Sequence, residues 1–260
     1  FTMVHLSFEY GNCSLAAYAY GLYGLLLCGV LGDIEAGYKY GKLALRVLDK
    51  FAAKEIKCRV SNKFYSFIIH WKEAAQKSLE PLRKETIPAG LETGEIEFTC
   101  YASVNYVGNI ACLGNHLEEA RQHHREYLEL IANLKQEFQL FYTQIWAQYI
   151  ENLLGLSASP TILTGETFNE TETLPILLEN NNLSSLYCFY LIKTILCYLF
   201  KDYEKAVACA KLAEQYEVGV VGLFVATQNP FYYSLALLAN YKNADEADRK
   251  STRLNSSHYS

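Results

Sequence analysis

Glu119 and His123 stand four residues apart, the spacing by which one face of a helix offers a carboxylate and an imidazole to a metal ion. His124 follows directly, but neighbouring residues on a helix point about 100° apart, so the two imidazoles cannot readily share one ion. Two ligands alone bind weakly. A solvated charged face is the expected setting of Glu119 and His123, whereas His124 falls on an apolar stripe and reads as a hydrogen-bonded core histidine. His70 and Trp71 close another helix and read as a packed anchor between helices. None of these groups is assigned as a catalytic, cofactor-binding or metal-ligating residue.

Thiol chemistry offers little more. The eight cysteines (Cys13, Cys28, Cys58, Cys100, Cys112, Cys188, Cys197 and Cys209) form no C-x-x-C pair, and each sits among Ala, Leu, Tyr or Val. They read as buried free thiols in a reducing cytosol, not as a secreted disulfide framework. In that compartment the N-x-S/T triplets at Asn12, Asn169 and Asn182 carry no sugar. No phosphate loop, dinucleotide-binding glycine pattern, kinase H-R-D or D-F-G motif or G-x-S-x-G elbow is present. The net charge of −5 argues against a nucleic-acid binder that relies on a basic surface. The 21 tyrosines are expected between helices, with hydroxyls at the rim.

The elements that would hold these groups are helices. Leu117, Ala120, His124, Tyr127, Leu128, Ile131 and Leu134 form one stripe after Asn115, which reads as an N-cap with Glu118 completing a capping box. A second amphipathic helix starts at Asp202, with Tyr203, Ala206, Ala210 and Ala213 inward. A third starts at Asp33, with Ile34, Gly37, Tyr38, Gly41, Leu45 and Leu48 inward. Each follows an apolar helix through a tight turn: Leu31-Gly32-Asp33, Leu113-Gly114-Asn115 and Phe200-Lys201-Asp202.

Each also carries a small residue three positions after a large one, at Gly37, Ala120 and Ala206, and Gly108 precedes Ala120 by twelve residues. These recurrences predict an all-α protein, an α-α superhelix of about five to six helical hairpins of the tetratricopeptide-like solenoid kind. Less regular helices are expected near residues 64–71, 76–87 and 138–154. Residues 11–32 are free of charge and long enough to suggest a membrane span. However, Gly21, Gly24 and Gly29 interrupt the stretch, and Tyr18, Tyr20 and Tyr23 lie in its middle. A buried helix is expected, which leaves a membrane-anchored sensor as the weaker alternative.

Four segments follow. Residues 1–154 are expected to form an N-terminal solenoid lobe, 155–182 a loop-rich connection with a short helix at 174–178, and 183–247 C-terminal solenoid hairpins. The last of these hairpins contains a helix entered at Asn229-Pro230. Residues 248–260 (DRKSTRLNSSHYS) read as a non-native tail, since DRKSTRLNSSH looks like a translated sequencing adapter. That tail holds one acid and three bases, so without it the net charge becomes −7. The start, Phe-Thr-Met within an apolar run, reads as the interior of a longer protein.

Several blocks carry a resemblance: AYAYGLYG, GYKYGKLAL, the His70-Trp71 pair, PLRKETIPAGLETGEIEF, LCYLFKDYEKAVACAKLAEQYE and FYYSLALLA. In this order, across residues 1–241, they resemble the middle of large bacterial signalling proteins. Those join a serine/threonine kinase domain, an ATPase, a tetratricopeptide-like helical region, a GAF domain and a sensor histidine kinase. The resemblance covers only the helical region. It implies a cytoplasmic, non-catalytic scaffold or regulatory interaction region that meets protein partners or neighbouring domains of its own chain. ATP and Mg belong, on this reading, to flanking domains. A stand-alone tetratricopeptide-type adaptor is the alternative.

Overall fold

A computed structural model of the chain describes residues 2–241. The proposed junction at residue 247 and the tail 248–260 lie outside the described residues. Among the described residues the protein is all-helical, and its one extended pairing is an isolated bridge between Thr164 and Asn169. The contacts divide the chain into two units, one of residues up to Thr143 with Val221–Phe224, the other beginning at Gln144. The division falls inside a helix, α9 (Glu137–Leu153), and not at the expected boundary after residue 154.

The first unit is built from α1 (Thr2–Tyr10), α2 (Ala16–Gly29), α3 (Ile34–Lys50), α4 (Lys57–Phe67), α5 (Leu79–Pro81), α6 (Ile87–Thr93), α7 (Ile96–Cys112) and α8 (Leu117–Asn133). At 14 residues, α2 accounts for the charge-free stretch, and no helix among the described residues is long and apolar enough to cross a membrane. It packs on α3 and α4, buried among Ala17, Tyr20, Gly24, Leu27 and Cys28 of its own sequence. The α2–α3 crossing is set by glycine: a Cβ on Gly37 would lie 2.3 Å from Cys28 Sγ and 2.8 Å from the Gly24 carbonyl oxygen. Gly41 meets Phe64 and Ile68 of the α4 segment in the same way.

The helix expected near 76–87 is instead composite. A 3₁₀ turn (Ala75–Ser78) leads into α5, a π turn (Leu82–Thr86) and α6. The π turn ends just before Pro88, which has no N–H to donate to the preceding turn and so favours a widened register. Beyond it α7 is the central helix of this unit. Contacts with α4, α6, α8 and the π turn bury nearly its whole circumference, including Gly108.

The second unit holds the end of α9 with α10 (Glu170–Glu179), α11 (Leu183–Leu199), α12 (Tyr203–Glu214) and α13 (Gln228–Asn240). Residues 155–182, read from sequence as a loop-rich connection, are packed. Leu163, Phe168 and Leu177 are buried. Asn152 Nδ2 donates to the carbonyls of Ser159, Pro160 and Ile162, and Lys193 Nζ bonds the Thr161 carbonyl (2.7 Å) and pairs with Glu170 (2.9 Å). Polar side chains within the segment, Ser157, Thr167 and Glu170, take part in the same anchoring.

The glycosylation-like triplets also find a structural use. Asn169 and Asn182 are the N-caps of α10 and α11, accepting from Thr171 N (3.1 Å) and Ser185 N (3.2 Å), and Asn12 accepts the Tyr20 hydroxyl (2.7 Å). Since Asn182 is buried at its cap, Asn182→Ala should cost about 1–2 kcal/mol, read as a lower urea midpoint of the second unit.

The three tight turns do share one geometry. Gly32, Gly114 and Lys201 occupy the same left-handed position, with φ of 71°, 71° and 67°. Asp33 and Asp202 then cap the following helices through Ala36 N and Lys205 N. Asn115 does not: His116 holds the cap position without a side-chain bond, Asn115 Nδ2 turns back to the Ile110 carbonyl (3.0 Å), and Glu118 pairs with Arg121. A lysine in the left-handed region is strained where glycine is not. Lys201→Gly is therefore expected to stabilise the second unit by about 0.5–1 kcal/mol net of chain entropy, measured by thermal or urea unfolding.

Candidate functional site

The groups singled out from sequence are placed by α8 and by the end of α4. On α8 the apolar stripe is seated as expected, with Ala120, Tyr127 and Ile131 buried. His124 is 1% exposed and its Nδ1 donates to the Ala120 carbonyl at 2.7 Å. Burial depresses its pKa to about 4, so the ring is neutral at physiological pH.

His123 departs from expectation. It is only 7% exposed, its ring edge-on to Tyr106 at 5.7 Å, and so does not lie on a solvated face. The physical reason is the width of the buried arc: α8 packs beside α7, and Tyr106 extends that arc past the apolar stripe. Glu119 lies 4.0 Å from His123 Nε2 and Glu126 3.7 Å from Nδ1, too far for direct hydrogen bonds. Burial, followed by the Arg83 charge, holds the imidazole below its ordinary pKa despite the two carboxylates. Among the described residues no group of three or more His, Cys, Asp or Glu is arranged to hold a metal ion.

His70 and Trp71 sit on a 3₁₀ turn (Ile69–Trp71) just beyond α4. Trp71 Nε1 donates to the Phe67 carbonyl at 3.0 Å, and the His70 ring lies 5.3 Å from Trp71 and 5.8 Å, edge-on, from Phe224 of the same unit. Both His70 nitrogens are buried without a hydrogen-bond partner, and burial pushes the pKa down to about 4. An imidazole held neutral between aromatic rings, with no acid, base or nucleophile bonded to it, is suited to packing. It has no partner for proton transfer.

The tyrosines divide into two kinds. Tyr20, Tyr23 and Tyr40 pack ring against ring between α2 and α3, with centroids 4.6–6.0 Å apart. Tyr38 instead reaches the rim, where its hydroxyl bonds Glu73; Glu73 also takes Lys77 Nζ at 2.7 Å. Burial, then that bond, pushes the Tyr38 hydroxyl up to about 12, while the Lys77 and Tyr38 bonds hold the Glu73 carboxyl below its ordinary range. Arg59 pairs with the buried Glu95 and lies over Phe98 at 4.9 Å. These are inter-helix clamps.

Sequence reasoning passed over two polar clusters. In the first unit Asn62 Oδ1 accepts Ser66 Oγ (2.6 Å) and Asn105 Nδ2 (3.3 Å) between α4 and α7. In the second, Gln148 Nε2 donates to Asn152 Oδ1 (3.0 Å) and Ser157 Oγ (2.8 Å), while Thr167 Oγ1 donates to Gln148 Oε1 (3.1 Å). The available signal was a polar residue interrupting an apolar helix, as at Asn62 and Gln148. Their hydrogen bonds fix helix register and chain path.

No family model matches the chain. Over 129 residues, 49% of its length, the chain is 26% identical to hybrid signal transduction histidine kinase G of Dictyostelium discoideum. The matched stretch covers 4% of that much longer protein. What the comparison connects to this chain is a small part of a signal-transduction protein.

Proposed function

We propose that the chain is a non-catalytic helical-repeat scaffold within a larger signalling protein, in which hairpins stack in a tetratricopeptide-like superhelix between kinase and ATPase modules. The similarity to part of a hybrid histidine kinase carries this reading. Two structural features support it. The turn with a left-handed residue at 32, 114 and 201 recurs between packed helix pairs, as a repeat would require. The imidazoles that sequence suggests for chemistry are committed to packing. A scaffold of this kind would transmit a signal by presenting helix faces to neighbouring domains or protein partners.

Two measurements test it. The coding sequence on both sides of the chain should encode kinase or ATPase modules; a reading frame that closes without either would overturn the placement and favour a stand-alone adaptor. The purified chain with ATP and Mg should release phosphate no faster than a blank. Saturable turnover would overturn the non-catalytic half of the reading.

A further inference from the structure

Of the eight cysteines, Cys197 on α11 and Cys209 on α12 are distinguished by the contact between their thiols, which hydrogen-bond across the helix pair. The geometry has a simple origin. Ala206, Ala210 and Ala213 are fully buried on α12, so α11 approaches closely, and Cys197 belongs to a core cluster with Ala206, Val207, Ala236 and Leu237. Helical side chains lean toward their own N-terminus. In two helices joined by the turn at 200–202, Cys197 therefore leans away from the turn and Cys209 toward it, and the sulfurs converge.

We infer that Cys197 and Cys209 form a peroxide-sensitive dithiol, an oxidative modification site at which an intrachain disulfide staples α11 to α12. Cys197 is 1% exposed and Cys209 half-buried, so Cys209 forms the solvent-facing side of the pair. The Cys209 thiol donates to Cys197 and holds its pKa below the ordinary thiol value, helped by the Lys193 and Lys205 ammonium groups. The same bond, with burial, raises Cys209. Cys58 and Cys100 supply the contrast: burial pushes them up to about 12 and about 11, leaving protonated, unreactive sulfurs.

The chemistry balances with hydrogen peroxide as oxidant. The Cys197 thiolate attacks one peroxide oxygen, the O–O bond breaks, and the departing hydroxide takes the Cys209 proton to become water. The Cys209 sulfur then displaces hydroxide from the Cys197 sulfenic acid, forming the S–S bond. That hydroxide takes up the proton first lost by Cys197, giving the second water. Two electrons leave the sulfur pair and reduce one peroxide to two waters.

The test treats the folded full chain with hydrogen peroxide, blocks remaining thiols and maps the peptides. The expected product is a monomer lighter by two hydrogens, with the peptides of Cys197 and Cys209 joined and the bridge removed by a reducing agent. Before oxidation, Cys197 should react with iodoacetamide about tenfold faster than Cys58 or Cys100. Cys209→Ser should abolish the joined peptide, whereas Cys58→Ser should leave it. The wild-type map needs no variant to fold. Separate oxidation of the two sulfurs to sulfinic or sulfonic acids, or bridges formed chiefly through the exposed Cys13, would overturn the inference, as would unjoined Cys197 and Cys209 peptides at peroxide levels that oxidise Cys13.

Discussion

Gly37→Ala is expected to destabilise the first unit by about 3 kcal/mol, although alanine is the better helix former by about 1 kcal/mol. The reason is the surroundings of the missing methyl group. A Cβ there would stand 2.3 Å from Cys28 Sγ, 2.8 Å from the Gly24 carbonyl oxygen and 3.0 Å from the Cys28 amide nitrogen. A flexible side-chain tip could swing aside, but two of the three obstacles are α2 backbone. Separating α2 from α3 would in turn loosen Gly24, whose own Cβ position is 2.8 Å from the Gly37 carbonyl oxygen and 2.9 Å from Ile68 Cδ1.

The comparison to make is with Gly32→Ala, in the turn between the same helices. Nothing lies within 4 Å of that Cβ, and only its positive φ of 71° resists alanine, at about 1 kcal/mol. Trp71 belongs to the first unit and Trp146 to the second. Urea unfolding followed through Trp71 emission, in a Trp146→Phe background, therefore reports the relevant unit. Equal midpoints for the two alanine variants would show that close packing is not what places glycine at 37.

How far such features are legible in sequence depends on which interaction decides them. The glycine contact was readable because a glycine in a helix interior needs compensation, and close approach is the common one. The helix starts at Asp33 and Asp202 were readable because the interaction that fixes them is local. Asn115 has the same signature but turns back to the Ile110 carbonyl, and His116 takes the cap position one residue later. His123 was misplaced for a related reason: amphipathic periodicity finds the centre of the buried face but not its width, which Tyr106 of another helix extends. The packing of residues 155–182 was not legible, because composition cannot reveal that Asn152 and Lys193, on helices before and after them, hold their carbonyls. The buried ring nitrogens of His70 leave no trace in the local sequence at all.

Those buried imidazoles lead to the largest expected effect. Acidification from pH 7 to pH 4 should remove about 3 kcal/mol of stability for each of His70 and His124, both in the first unit. The sign follows from the linkage. Each folded-state pKa is depressed, from 6.5 to about 4, because burial disfavours the imidazolium. Unfolding therefore takes up protons: stability is fully present above pH 6.5, falls as pH drops from there to about 4, and levels off below. His123, also depressed, acts in the same direction. Carboxylates such as Glu73 titrate from a lower ordinary value of 4.5, so most of the histidine window lies above theirs. A combined loss of about 6 kcal/mol is comparable to the whole stability of an ordinary domain, so the first unit should open near pH 4. His70→Phe separates the contributions. Its ring keeps the contacts with Trp71 and Phe224, and it removes two nitrogens that are buried without partners. That variant should be at least as stable as the parent at pH 7 and should lose about half as much between pH 6.5 and 4. A urea midpoint with the same pH dependence in both proteins would show that His70 is not held neutral by burial.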